Sequence, residues 1–82
     1  MNPEIIGNRI KSILVLENIK RAYLAKKLNM SYNTLTKKLN GKREFSVIEI
    51  TKLVELLNLD LETSANLLFN KDKFIYKDVI NK

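Results

Sequence analysis

An all-α fold, a compact bundle of about five short helices, is predicted by three observations. Apolar residues recur at three- and four-residue spacing in one stretch after another. Residues that cap helices, Ser31, Ser46 and Asp60, stand directly in front of such stretches. Between residues 21 and 41 two short helical segments are separated only by a tight turn, the arrangement of a helix-turn-helix. With 82 residues, 45% of them apolar, the chain has room for one small domain and enough core to fold if that core packs efficiently.

The first helix spans about residues 4 to 17. Ile5, Ile6, Ile10, Ile13 and Leu14 line one side of it, with Asn8, Arg9, Lys11, Ser12 and Glu17 largely between them. Asn18 ends it. The second helix, about 21 to 28, buries Leu24 and Leu28 with Ala25 beside them. Asn29 follows where the chain must turn, and asparagine tolerates the left-handed conformation better than most residues. Ser31 then caps the third helix by accepting a hydrogen bond from a backbone N–H near Asn33 or Thr34, and Asn40-Gly41 closes it. At about 100° per residue, Leu39 falls on the same side as Leu35, whereas Asn33, Lys37 and Asn40 cluster on the opposite side.

Ser46-Val-Ile-Glu49 has the spacing of a capping box, and Val47, Ile50, Leu53, Val54 and Leu57 continue the period through a fourth helix. Asp60 caps a fifth, in which Leu61, Ala65 and Leu68 are expected to pack inward, with Phe69 a further candidate. The domain is therefore expected to run over residues 1–69, followed by a short C-terminal extension, 70–82. There Phe74-Ile-Tyr-Lys-Asp-Val-Ile80 fits an edge strand or a short helix, and periodicity does not decide at that length.

The formal charge of +6 is unevenly spread. Between Asn18 and Arg43 stand eight basic residues (Lys20, Arg21, Lys26, Lys27, Lys37, Lys38, Lys42, Arg43) and no acidic one, while the seven basic and nine acidic residues elsewhere sum to −2. The whole excess lies in and beside the two-helix segment, where it would meet a polyanion. A membrane-surface helix needs a continuous apolar face beside its charges, and here a turn interrupts that face. Cysteine and histidine are absent, which removes thiol nucleophiles, disulfides, imidazole bases and the common zinc motifs. The nine carboxylates are scattered, without the spacing of a calcium loop or of a paired acid and base. The two glycines stand alone, so there is no glycine-rich phosphate loop. No enzymatic activity, metal or cofactor is expected. The longest apolar runs are four residues, such as Ile13 to Leu16. A bilayer span needs about 20 residues and a signal core about 7 to 15. A cytoplasmic protein with no membrane partner is the expectation.

Five short helices with a small residue in the second, a short turn, and Leu-Asn-Gly closing the third resemble the phage Cro and repressor helix-turn-helix family, over roughly residues 5 to 68. The most telling stretch is Asn33-Thr-Leu-Thr-Lys-Lys-Leu-Asn-Gly-Lys-Arg-Glu-Phe-Ser46, followed by Glu49-Ile50; it is similar to small phage- or prophage-encoded members. The resemblance implies a lambda-repressor-like DNA-binding domain. In it Ala25 takes the place of the small residue where the motif helices cross, and Met30 and Leu35 take the apolar positions that lock the turn and the recognition helix. The chain departs from the family pattern at two places: Asn29 stands where glycine is common, and Lys20-Arg21 replaces the more frequent glutamine at the start of the second helix. Met1 to Glu4 carries no basic arm, so no minor-groove contact is expected from the N-terminus.

The resemblance also implies which residues face DNA. Base contacts are expected from the start and outer face of a recognition helix over about 31 to 40, here Tyr32, Asn33 and Lys37. An Asn33 amide suits adenine, and a Lys37 ammonium suits guanine N7 and O6. Tyr32 sits at the margin of the core face, open to either packing or contact. Thr34 and Thr36 flank the outer stripe as further candidates, toward a thymine methyl or a phosphate. Phosphate contacts are expected from Arg21 with the start of the second helix, and from Asn40, Lys42 and Arg43.

The function expected is that of a sequence-specific regulator binding double-stranded DNA and acting by operator occupancy. A homodimer would place two recognition helices about 34 Å apart. Phe69, Phe74, Ile75, Tyr76, Val79 and Ile80 are too apolar for a solvated end, and would either dimerise the chain or fold back over its helices. The alternatives are a protein-interaction module on the same scaffold, such as an antirepressor or antitoxin with a protein partner, and a nonspecific DNA binder.

Overall fold

Five helices form in the computed structural model, which describes residues 2–70 and residue 74: α1 (Pro3–Leu16), α2 (Arg21–Lys27), α3 (Tyr32–Leu39), α4 (Val47–Leu56) and α5 (Leu61–Phe69). Among the described residues there is no strand. Side-chain caps set most of the starts. Asn2 Oδ1 accepts from the N–H groups of Glu4 (2.9 Å) and Ile5 (3.2 Å), so α1 begins earlier than its apolar stripe, with Pro3 in the first turn where its missing N–H costs nothing. Ser31 Oγ accepts from the Thr34 N–H at 3.0 Å. Ser46 and Glu49 form the full reciprocal box, and Asp60 Oδ1 accepts from the Thr63 N–H at 2.7 Å. Those hydrogen bonds to Thr63 hold the Asp60 carboxyl below its ordinary value. α2 differs, because Lys20 precedes it and offers no side-chain acceptor.

The ends of α1 to α4 share one device. Asn18, Asn29 and Asn58 take left-handed φ values of 56°, 58° and 53°, and Gly41 takes 78°. After each, the next N–H reaches back five residues: Ile19 to Leu14 O, Met30 to Ala25 O, Lys42 to Lys37 O and Leu59 to Val54 O, at 2.8 to 3.0 Å. These are Schellman closures, and the apolar residue that follows the turn packs on the core at Ile19, Met30 and Leu59. After α3 that position is Lys42, which stays exposed.

The core gathers Ile6, Ile10, Ile13 and Leu14 of α1 with Leu24, Ala25 and Leu28, Leu35 and Leu39, Ile50, Leu53 and Leu57, and Leu67. α3 packs against both α1 and α2. The α1–α3 approach is tight enough that a Cβ built at Gly7 would lie 2.1 Å from the Leu39 carbonyl oxygen. Ala25 and Leu35 are buried and Met30 is partly buried against the core, as the resemblance implies.

Several expected inward residues lie elsewhere. Ile5 is at the exposed edge of the α1 stripe, Val47 is exposed at the first position of α4, and Val54 is half-buried. In α5 the face turns on Leu67, which is buried; Leu68 is half-buried, and Leu61, Ala65 and Phe69 are exposed. One step along a helix rotates the inward direction by about 100°, enough to move the expected stripe off the core. Beyond α5, Phe74 packs partly buried against the core, with the Arg9 guanidinium 5.6 Å from its ring centre. Arg9 Nη1 also donates to the carbonyls of Asn66 (2.8 Å) and Leu67 (3.1 Å) near the end of α5. Phe74 thus folds back over the helices, whereas Ile75, Tyr76, Val79 and Ile80, and the choice between strand and helix for that segment, lie outside the described residues.

Candidate nucleic-acid interface

α3 is built so that one side is locked and the other is open. Leu35 and Leu39 are wholly buried, and the Ser31 cap fixes where the helix begins. Tyr32, the first helical residue, is about half exposed. Asn33 and Lys37 are exposed and four residues apart, hence neighbours on one face. Asn40 is exposed at the C-terminal cap, and Lys42 and Arg43 follow it, exposed in the loop to α4.

The two threonines are engaged within the protein. The Ser31 hydroxyl donates to Thr34 Oγ1 at 2.9 Å, tying Thr34 into the helix start. Thr36 Oγ1 accepts from Arg21 Nη1 at 3.4 Å, so the half-buried arginine at the start of α2 leans on α3. Asn40 Oδ1 accepts from Lys11 Nζ of α1 at 3.2 Å.

Lys38 departs from the picture drawn by the charge count. It is 7% exposed, its Nζ lies 2.5 Å from Glu49 Oε1, and it stands 5.9 Å from the centre of the Phe45 ring. One of the eight clustered cations is therefore neutralised by a carboxylate from α4. Burial pushes the Glu49 carboxyl up, but the Lys38 hydrogen bond, the Ser46 backbone N–H and the Lys38 charge outweigh it and hold the group below its ordinary value. The signal was present in the sequence: Lys38 falls about 60° from Leu35 around the helix, nearer the core than the outer stripe. Tyr23 is 54% exposed on α2, with Lys27 Nζ 5.5 Å from its ring centre.

A family model described as helix-turn-helix matches residues 10–63. The chain belongs to the helix-turn-helix family. That match takes in α2, the turn and α3 entire, together with α4, the second half of α1 and the first turn of α5. Helix-turn-helix proteins of this family are DNA-binding transcription regulators, which gives the chain its general class. No curated protein sequence matches the chain, and no solved structure does. Among the described residues no helix is long and apolar enough to cross a membrane.

Proposed function

We propose that this helix-turn-helix chain is a sequence-specific regulator of the Cro-like or repressor-like kind, in a phage or prophage setting, that acts by occupying an operator with α3 in the major groove. The observation that carries the proposal is the division of α3: Leu35, Lys38 and Leu39 are turned into the protein, while Asn33 and Lys37 are left exposed on one face with Tyr32 at its start. An amide and an ammonium so placed are groups that distinguish base pairs by donor and acceptor pattern in the major groove. Asn33, Lys37 and Tyr32 are assigned to base edges, with Thr34 and Thr36 as further candidates toward a thymine methyl or a phosphate. Arg21 at the start of α2, Asn40 at the end of α3, and Lys42 and Arg43 just after it are assigned to phosphates, which set register without reading sequence.

The test is selection from randomised duplexes of about 30 base pairs at near-physiological salt, followed by sequencing of the bound fraction. An enriched palindrome with half-sites about one helical turn apart supports a dimeric regulator, and an enriched single half-site supports a monomeric one. Binding without enrichment, lost on modest addition of salt, would leave only nonspecific association.

A further inference from the structure

We infer that Lys11, on α1, is a further phosphate-contact residue, which together with Arg21 forms a two-cation seat for one phosphodiester of the DNA backbone. The inference rests on the proposed DNA-binding role and adds to it a helix outside the two-helix motif. Lys11 lies before the stretch that holds the charge excess, so counting charge along the sequence passes over it.

The geometry brings it in. Lys11 Nζ donates to Asn40 Oδ1 at 3.2 Å, and Arg21 Nη1 donates to Thr36 Oγ1 at 3.4 Å. Thr36 and Asn40 are four residues apart on α3, so the side chains that hold the two cations sit one turn apart on the same side, with Cβ atoms about 5–6 Å apart. Lys11 and Arg21 also line one groove with Leu14, Val15, Asn18 and Ile19, a lining that contains no carboxylate. The atoms that hold the two heads, an amide oxygen and a hydroxyl oxygen, carry no formal charge, so each cation is positioned without being neutralised by its holder.

A phosphodiester carries one negative charge and two free oxygens, which suits it to an ammonium and a guanidinium at once. Asn40 completes the seat. With Oδ1 turned to Lys11, the amide NH2 is the end left to donate to a phosphate oxygen. Lys11 in this arrangement both contributes charge and sets the orientation of Asn40.

Salt titrations of duplex binding by the full chain separate these roles. Lys11→Gln removes the charge while keeping a polar N–H donor, on a side chain one atom shorter. It is expected to weaken binding to preferred and random duplexes by the same factor, and to lower the magnitude of the log K against log salt slope by about one. Lys11→Arg is expected to restore the slope, and both variants should melt within a degree or two of the parent. A slope unchanged by Lys11→Gln, while Arg43→Ala lowers it by about one, would overturn the seat and leave the DNA-binding reading standing. Weaker binding with an unchanged slope and a lowered melting temperature would overturn it too, by showing a purely structural lysine. Failure of the parent chain to bind any duplex would remove the seat and the reading together.

Discussion

Asn33 owes nothing to the core: it is exposed on α3, and its neighbour Thr34, through the Ser31 hydroxyl, secures the helix start in its place. Its replacement therefore separates recognition from folding. Asn33→Ala is expected to cost about 1–3 kcal/mol of binding at one base pair and to relax preference there, with thermal stability unchanged. Affinities for the selected duplex and for the three substitutions at each of its positions would check this. An equal loss on random DNA would instead assign Asn33 to folding. Rotation around α3 was enough to place Asn33 and Lys37 on the open face. It was also enough to place Lys38 near the core, yet a count of charge along the chain hides that, because counting ignores direction. The partner, Glu49, is eleven residues away, and its capping role was legible while its ion pair was not.

Among the elements, the contact between α1 and α3 decides how firmly the proposed recognition helix is held from behind. Alanine in place of glycine inside an open helix would gain about 0.5–1 kcal/mol. At Gly7 the added Cβ would meet the Leu39 backbone oxygen at 2.1 Å, and a carbonyl within a helix cannot swing aside as a side chain can. Gly7→Ala is thus expected to reverse the sign and destabilise the fold by about 1–3 kcal/mol, through separation of α1 from α3. Denaturant midpoints of the two proteins measure it, and a stabilised variant would show that the helices separate at little cost. Nothing in the sequence marks Gly7 as a crossing point, since a lone glycine in an amphipathic stretch carries no periodic signal. Helix starts at Ser31, Ser46 and Asp60 were legible because capping is local. The inward face of α5 was not, because Leu67, Leu68 and Phe69 are consecutive apolar residues and only packing against α1 selects among them.

Across the whole molecule, charge is divided between an acid-free motif, residues 18 to 43, and a second half in which Glu49, Asp60 and Glu62 stand at helix starts. The two halves meet where Lys38 of α3 pairs with Glu49 of α4. Acid should act at that junction. The Glu49 carboxyl is held below its ordinary value of 4.5 in the folded chain, so as the pH falls the unfolded chain takes up its proton first. The stability contributed by the ionised form is accordingly complete above about pH 4.5 and is lost as the pH drops through the folded-state value. Asp60, held below 3.8 by its bonds to Thr63, acts in the same direction at the start of α5. Melting temperatures of the parent are therefore expected to hold above about pH 4.5 and to fall as the pH is lowered below it. Glu49→Gln should melt lower than the parent above that pH, because buried Lys38 loses its counter-charge, and the two curves should approach each other as the pH falls through the folded-state value and the parent carboxyl takes up its proton. Parallel curves would mean that the hydrogen bonds of Glu49, and not its charge, hold α3 to α4.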